Sequence, residues 1–260
     1  MSNSMHRFFV EDPGLHLALP GTKITLPEKL AHQIRDVLHL AIGEQLMLLD
    51  NSGDECICSV TKSSKASLEV EVIEHRTGKS ESSVRVILCQ GLLKSARFEW
   101  ILEKGTELGV AVFAPIICRR STSGLEDTGA SKQQRWQRII QEAAEQCGRS
   151  RLPTLLPIRS LQHALKDIPS GAIALMPWEE ERELSLRKAL RQNVATSQAD
   201  SLTVILFIGP EGGLTSEEVQ LAQQCGVPAV TLGPRILRAE TAAITAVANV
   251  MYELEMLHFS

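Results

Sequence analysis

The pattern of apolar and polar positions differs between the two parts of the chain. In the first part, short extended runs such as HRFFV, LALPGTKITL, EQLMLLD, ECICSVTK and ASLEVEVIEH are separated by turn residues such as NSGD, which predicts strands. One helix is predicted from Pro27 to about Leu38, with proline at an early position where its missing N–H does no harm. The polar segment RTGKSESS at 76–83 has the composition of a linker. The pattern therefore predicts a small β-rich domain over residues 1–76 and a second domain over residues 77–260.

The second domain alternates apolar runs with longer helical patterns. Its predicted strands are VRVILC, AVFAPII, AIALM, TVILFI and AVTL, and its predicted helices cover 95–108, 131–147, 179–192, 216–225 and 239–257. In the second of these helices, Trp136, Ile140 and Ala143 recur at helical spacing, and Gly148 follows as a stop signal. Strands that are apolar throughout and separated by helices are typical of a parallel sheet covered on both faces. The predicted fold class is therefore α/β.

Composition and charge narrow the classes of function. A chain of 260 residues with net charge −4 is an ordinary globular protein of one or two domains, and only residues 77–172 are basic, with 14 Lys and Arg against 9 Asp and Glu. The six cysteines form no CxxC pair, so we expect buried thiols in a reducing compartment and no metal site. The N-terminus has no signal-peptide core, and no apolar run approaches the ~20 residues of a membrane span. We therefore expect a cytoplasmic protein without a membrane segment.

The segment FIGPEGGLTSEE, residues 207–218, places a glycine-rich loop directly after a predicted buried strand. In a parallel sheet, ligands bind beyond the carboxyl ends of the strands. A phosphate cradle is unfavourable, because Pro210 lacks an N–H, Glu211 carries a negative charge and no Lys-Ser/Thr pair follows. Backbone groups of such a loop suit a neutral or cationic ligand that contains an adenine and a ribose. The alternative is a plain strand-to-helix turn, closed by a capping box between Thr215 and Glu218.

A second Gly-Pro loop, LGPRILRAETA at residues 232–242, follows the next predicted strand, AVTL. Loops that end neighbouring strands of one sheet can form two walls of a single crevice. The pair of loops therefore favours a ligand pocket over two unrelated turns.

Taken together, FIGPEGGLTSEEV and TLGPRILRAETAA resemble the signature of the SPOUT-class RNA methyltransferases, and specifically the ribosomal RNA small subunit methyltransferase E family. HRFFV near the start, LLKSARFEWILEKGTELGV from Leu92 and RWQRIIQEAAEQCGRSRLP from Arg135 fit the same family. The resemblance implies S-adenosyl-L-methionine as methyl donor and methylation of uridine N3 in small-subunit (16S) ribosomal RNA. One position departs from the family, which usually has a second arginine where this chain has His39.

The resemblance also implies an architecture that periodicity does not reveal. It implies an N-terminal PUA-like β-barrel that docks RNA, and a C-terminal SPOUT-type α/β domain whose parallel sheet carries a deep trefoil knot. It further implies a homodimer, with small-subunit ribosomal RNA or the assembled small ribosomal subunit as partner.

The family's motifs, transferred residue by residue, imply a cofactor site and a reaction centre. The residues expected to hold S-adenosyl-L-methionine are Met176, Pro177, Ile208, Gly209, Pro210, Gly212, Gly213, Leu232, Gly233, Ile236, Leu237 and Thr241. Arg238 is expected to contact the uridine or its phosphate, and Glu240 or Glu211 to accept the N3 proton. For Glu240 the alternative is a carboxylate that the dipole at the start of a helix stabilises.

Uridine N3 lies on the Watson–Crick edge, so the RNA is expected to bind as an unpaired or distorted segment. The residues expected to contact it are Arg7, Arg35, Arg119, Arg120 and Arg149. Arg149 follows the predicted helix end at Gly148 and is expected to project from a loop. Lys132 and Arg138 fit ordinary helix-surface charge better.

Two other functions fit parts of the sequence. One is a non-enzymatic RNA-binding ribosome assembly factor on the same fold, which the intact glycine loops and residues 238–241 disfavour. The other is a metabolic α/β enzyme that uses an adenine nucleotide, which the missing phosphate-binding motif disfavours.

Overall fold

The computed structural model describes residues 5–11, 15–64, 67–122, 124, 129–194 and 202–258. The chain forms two compact units. The first contains Met1–Glu81 and Ala144–Leu152, and the second contains Ser82–Ala143 and Pro153–Ser260. The first unit thus extends to Glu81 rather than to residue 76, and it includes a segment from the middle of the chain.

In the first unit, the described residues form a five-stranded sheet and a short helix. The strands are β1 (His6–Phe9), β2 (Lys23–Thr25), β3 (Gln45–Leu49), β4 (Asp54–Ser63) and β5 (Leu68–Thr77), and the helix is α1 (Glu28–His32), which continues as a π-helical turn over Gln33–Val37. The sheet order is β1-β3-β4-β5-β2, with β1 parallel to β3 and the other neighbours antiparallel. The helix and its π turn together account for the helix predicted at 27–38.

Local turn chemistry explains where the strands of the first unit begin. Asn51 (φ 67) and Gly53 (φ 99) form the predicted NSGD turn between β3 and β4, in a backbone region that Asn and Gly tolerate best. Of the predicted strand LALPGTKITL, β2 covers only KIT, and Gly21 (φ 92) turns the chain before it, while Gly21 N still donates to Val72 O at 2.8 Å.

The polar segment 76–83 joins the two units, since the boundary between them falls after Glu81, and it also makes specific contacts. Its first two residues end β5, and Glu81 Oε1 accepts hydrogen bonds from Ser150 N at 3.1 Å and Arg151 N at 3.0 Å. Composition alone does not separate polar residues that face solvent from polar residues that bind a distant part of the chain.

In the second unit, the described residues form one parallel sheet with helices. The strands are β6 (Val84–Gly91), β7 (Val110–Ile117), β8 (Thr154–Leu155), β9 (Arg159–Ser160), β10 (Ile173–Pro177), β11 (Leu202–Ile208) and β12 (Ala229–Val230), and the helices are α2 (Ser95–Glu107), α3 (Ala130–Cys147), α4 (Leu161–Lys166), α5 (Leu186–Val194), α6 (Ser216–Gln224) and α7 (Ala239–His258). The sheet order is β12-β10-β11-β6-β7-β8, and β9 also pairs with β7. All of these pairings are parallel, so the predicted α/β fold with a parallel sheet is confirmed.

Apolar side chains cover both faces of this sheet. Along β11, Val204 and Leu206 pack into one core, whereas Ile205 and Phe207 pack into the core on the opposite face. Residues of α2, α3, α5 and α7 contribute to the first core, and residues of α4 and α6 contribute to the second. Because both faces are buried, the strands read as continuous apolar runs.

The helix predicted at 179–192 is wrong in its first part, because α5 begins only at Leu186. Thr231 N donates to Leu184 O at 2.8 Å, and Leu186 N donates to Thr231 O at 3.1 Å, so the chain is extended here. The Glu181 carboxylate also accepts from Leu184 N at 3.0 Å, which closes a local turn. Pairing with the segment after β12 therefore overrides the helical pattern.

The cysteines carry no disulfide. Cys56, Cys58, Cys89 and Cys118 are buried, whereas Cys147 is partly exposed and Cys225 is exposed. Burial raises the pKa of Cys56 to about 11 and the pKa values of Cys58, Cys89 and Cys118 to about 12. These four thiols stay protonated at neutral pH and act as small apolar side chains, as predicted.

No helix within the described ranges combines the length and the apolar character that crossing a membrane requires. In the same ranges, no group of three or more His, Cys, Asp or Glu side chains is placed to hold a metal ion.

Candidate active site

Two loops lie at one edge of the second unit's sheet. The first loop (residues 209–213) follows β11, and the second loop (residues 232–238) comes just after β12. Both strands pair with β10 in parallel, and β10 lies between them. The carboxyl ends of the three strands therefore meet at the edge where ligands bind in such sheets.

The first loop is held against the end of β6 by close backbone contact. A Cβ atom at Gly91 would lie 2.6 Å from Pro210 N, so this position leaves no room for a side chain. Gln90 Nε2 donates to Gly209 O at 3.3 Å, and Gly213 N donates to Pro210 O at 2.9 Å. Gly213 has φ 73, a left-handed value that favours glycine. Gly91 and Gln90 thus support the loop, although neither was a predicted site residue.

The predicted capping box directly after the first loop is confirmed. Thr215 N donates to Glu218 Oε2 at 2.9 Å, and Glu218 N donates to Thr215 Oγ1 at 3.3 Å. In these two bonds, the backbone N–H of each residue donates to the side chain of the other. The start of α6, and with it the end of the first loop, is therefore fixed.

A cleft lies between the second loop and the end of β10. It is lined by Pro177, Trp178, Glu179, Thr231, Leu232, Gly233, Arg235, Leu237 and Ala242. Glu179 also reaches the first loop, since a Cβ atom at Gly213 would lie 2.5 Å from Glu179 Oε1. The two loops are therefore close neighbours on either side of Glu179, and four of the predicted cofactor residues share the cleft: Pro177, Leu232, Gly233 and Leu237.

The other predicted cofactor residues do not line the cleft, and they differ in which of their atoms a ligand could reach. The side chains of Met176 and Ile208 are 0% and 2% exposed and pack into the cores on opposite faces of the sheet, so only their backbone can meet a ligand. Ile236 is 80% exposed, and Thr241 is exposed at the start of α7. A Cβ atom at Gly212 would lie 2.9 Å from Arg120 Cβ, so the absence of a side chain at Gly212 lets Arg120 pack against it.

The structure brings Glu211 and Glu240 together around Arg97, a residue of α2. Arg97 Nη1 donates to Glu211 Oε1 at 2.9 Å, and Arg97 Nε lies 3.7 Å from Glu240 Oε1. Glu240 Oε2 is buried and has no hydrogen-bond partner in the described structure. Arg97 was not predicted as a site residue, although it lies within the family segment LLKSARFEWILEKGTELGV.

Arg238 lies between the second loop and α7. Its carbonyl accepts from Ala242 N at 2.8 Å, which starts the helix. The residue is exposed, and its guanidinium forms no hydrogen bond or ion pair with the parts of the chain that the structure describes. The guanidinium is therefore available to a ligand.

A family model described as "RNA methyltransferase domain" matches residues 80–251. Ribosomal RNA small subunit methyltransferase E of Bacillus subtilis (strain 168) is 35% identical over 256 residues, which cover 97% of this chain and 98% of that protein. The chain belongs to the ribosomal RNA small subunit methyltransferase E family. The protein of the same name from Synechocystis sp. is 33% identical over 233 residues, which cover 89% of this chain and 74% of that protein.

Solved structures share the fold. Ribosomal RNA small subunit methyltransferase E from Neisseria gonorrhoeae, bound to S-adenosyl methionine, has a TM-score of 0.82 at 30% identity, with 95% of this chain and 97% of that chain covered. A putative methyltransferase from Legionella pneumophila, in complex with the same cofactor, has a TM-score of 0.78 at 28% identity, with the same coverage of 95% and 97%.

The cleft has features that suit the cofactor of these two structures. Within the part of the chain that the structure describes, no atom lies within 4 Å of a Cβ position at Gly233 (φ 125), so the second loop leaves open space at its backbone. The side chains of Leu232, Leu237 and Pro177 suit a purine, and the Glu179 carboxylate suits a positively charged group. The cleft itself measures about 60 Å³. S-adenosyl methionine is larger than this volume, so it would extend into the open space beside the second loop.

Of the two arginines predicted to contact RNA in the second unit, one supports the first loop. Arg120 Nη1 donates to Gly212 O at 3.1 Å and to Leu214 O at 3.3 Å. Arg119 has a 69% exposed side chain whose Nη1 lies 3.9 Å from Glu217 Oε2. Contact with RNA stays a prediction for both, and Arg119 is the more accessible.

Arg7 and Arg35 both have partners within the first unit. Arg7 Nη1 donates to Glu55 Oε1 at 3.0 Å. Arg35 donates to both carboxylate oxygens of Asp36, at 2.9 and 2.6 Å, and to Ser64 O at 2.7 Å. An RNA phosphate would have to join or replace these partners, and their contact with RNA stays a prediction.

Arg149 does not project from its loop. It is 7% exposed, and its Nη2 donates to Glu81 Oε2 at 2.7 Å. The expected projection is wrong because a carboxylate that is distant in sequence binds this guanidinium and the N–H groups of the next two residues. Sequence spacing around Gly148 carries no sign of that contact.

We expect Arg149→Ala to lower the free energy of unfolding by about 1–3 kcal/mol, because Glu81 would keep a partly buried charge without its cation. Chemical denaturation would measure the loss. Arg138→Ala is the matched control, since Arg138 is 75% exposed and its surface pair with Glu142 should contribute less than about 0.5 kcal/mol. Unchanged stability together with weaker rRNA binding in Arg149→Ala would contradict this structural role.

Proposed function

We propose that this protein catalyses S-adenosyl-L-methionine-dependent methylation of uridine N3 in small-subunit (16S) ribosomal RNA. The observation that carries the proposal is the placement of Glu211 and Glu240 around Arg97, beside the first loop. Membership of the ribosomal RNA small subunit methyltransferase E family supports it. The reaction would take place in the cytoplasm, on free rRNA or on the assembled small subunit.

The proposed chemistry assigns proton transfer to the protein. When bound, S-adenosyl-L-methionine supplies a methyl group that is already activated on a sulfonium sulfur. The protein then has to hold the uridine and remove the proton from N3. We assign the proton to Glu240, with Glu211 as the alternative, because Glu240 Oε2 is buried without a hydrogen-bond partner in the described structure, whereas Glu211 Oε1 accepts from Arg97 at 2.9 Å. The Arg238 guanidinium would stabilise the uridine anion or hold its phosphate.

The proposed cofactor site uses both loops. Pro177, Leu232, Gly233 and Leu237 line the cleft, and Gly209, Pro210 and Gly213 form the neighbouring backbone. Met176 and Ile208 would contribute main-chain atoms only, since their side chains are buried in the cores.

We further propose that the first unit is a PUA-like β-barrel that docks RNA, that the second unit carries a deep trefoil knot, and that the protein is a homodimer. The five-stranded sheet of the first unit and the parallel sheet of the second are compatible with this architecture. Sedimentation of the purified protein would test the dimer directly.

The test of the function is methyl transfer to small subunits that lack the modification, followed by mass mapping of the rRNA. We expect one added methyl group on N3 of a single uridine. Methylation of a different base, or of a different atom, would contradict the proposal. Titration calorimetry with S-adenosyl-L-methionine and with ATP separates the alternatives. A preference for ATP would favour the metabolic enzyme, and absence of turnover with intact rRNA binding would favour the assembly factor.

A further inference from the structure

Glu179 lies where the two loops meet, directly after β10 and Trp178. Its side chain lines the cleft together with Leu232 and Gly233. Its Oε1 lies 2.5 Å from the position that a Cβ atom would take at Gly213. The glycine at 213 therefore makes room for this carboxylate at the side of the first loop.

The Glu179 carboxylate is unpaired among the residues that the structure describes. Throughout the described ranges, no residue forms a hydrogen bond or an ion pair with it. Arg235 lines the same cleft but forms no ion pair with Glu179. By contrast, Glu211 pairs with Arg97 and Glu218 closes the capping box. Glu179 is an exposed residue, and an unpaired carboxylate that lines a cleft attracts a positively charged ligand.

We propose that Glu179 is a specificity-determining residue that favours the positively charged methyl donor over the neutral spent product. This inference rests on the proposed function, because it assumes that the cleft holds S-adenosyl-L-methionine. The donor carries a sulfonium, whereas S-adenosylhomocysteine has a neutral thioether at the same position. A carboxylate beside that sulfur stabilises the first ligand and not the second.

The charge argument has a functional consequence. Both ligands share the adenosine and the amino-acid group, so apolar and backbone contacts of the cleft hold them alike. Loss of the positive charge after methyl transfer removes the attraction to Glu179 at that moment. Glu179 therefore favours release of the spent product and binding of a new donor.

The experiment is titration calorimetry of the full chain with three ligands, S-adenosyl-L-methionine, S-adenosylhomocysteine and sinefungin, which carries an ammonium in place of the sulfonium methyl. For Glu179→Gln we expect affinity for the two cationic ligands to fall about tenfold and affinity for the neutral ligand to change less than about twofold. Glu180→Gln is the matched control, because Glu180 is the adjacent exposed carboxylate and does not line the cleft. It should leave all three affinities unchanged.

Equal weakening of all three ligands in Glu179→Gln would overturn the inference, because it would place the carboxylate near the shared amino group or in the shape of the cleft. Unchanged affinities would overturn it as well. The two proposals can be told apart. An unaltered protein that binds none of the three ligands contradicts both proposals. An unaltered protein that methylates rRNA, with a Glu179→Gln variant of unchanged ligand preference, contradicts this inference alone.

Discussion

Replacing Glu240 by glutamine should lower the rate of methyl transfer about 100-fold or more, with unchanged affinity for S-adenosyl-L-methionine. Uridine N3 must lose a proton, and glutamine cannot accept one. Glu240 lies on the first turn of α7 with a side chain that is 15% exposed, and its buried Oε2 lacks a hydrogen-bond partner in the described structure. Single-turnover methylation of small subunits would measure the rate, and calorimetry the affinity.

Two other variants test whether the rate loss is specific to Glu240. If Glu211 is the proton acceptor, Glu211→Gln carries the rate loss and Glu240→Gln does not. Glu255→Gln is the control, since Glu255 lies on the same helix about 22 Å further along its axis. A Glu240→Gln protein with a normal rate, whose stability falls by about 0.3–1 kcal/mol, would show that the carboxylate only interacts with the helix dipole.

Replacing Gly91 by alanine should displace the first loop and weaken S-adenosyl-L-methionine binding about tenfold or more, with a loss of about 1–3 kcal/mol in the free energy of unfolding. The added Cβ would lie 2.6 Å from Pro210 N and 2.8 Å from the carbonyl carbon of Gly209. Both are backbone atoms, so neither can rotate out of the way. Calorimetry and chemical denaturation would measure the two effects.

Gly129→Ala is the matched control for this steric argument. No atom of the described residues lies within 4 Å of a Cβ position at Gly129, and neither glycine has a positive φ. The control should therefore leave cofactor binding unchanged and alter stability by less than about 0.5 kcal/mol. Tight cofactor binding in Gly91→Ala would mean that the first loop does not contribute to the site.

The predictions from periodicity succeeded where the local pattern and the tertiary contacts agree. The helix at 216–225 was predicted together with its capping box, because Thr215 and Glu218 interact within one helical turn. The helix at 179–192 was partly wrong, because strand-like pairing of residues 184–186 with Thr231 overrides an acidic run that reads as helical. Local pattern cannot report a partner that lies more than forty residues away.

The candidate site was predicted in its glycine loops and missed in its supporting side chains. The first and second loops were located because Gly and Pro have strong positional meaning after a buried strand. Arg97 and Glu179 carry no such signal, since a charged residue near a helix start or after a strand is common on any surface. Their roles come from contacts such as Arg97 with Glu211, which are 114 positions apart.

The sequence alone determined the parallel α/β sheet, most of the helices that cover it, and the two glycine loops, because periodicity and turn chemistry act over a few residues. It did not show that β10 separates the two strands that these loops follow. Only the tertiary structure showed that the first loop packs against the backbone of Gly91, that Glu179 lies between the two loops, and that Arg149 is buried against Glu81. The physical reason is that these contacts join strand ends and loops that folding brings together from distant positions, such as residues 81 and 149, which are 68 apart.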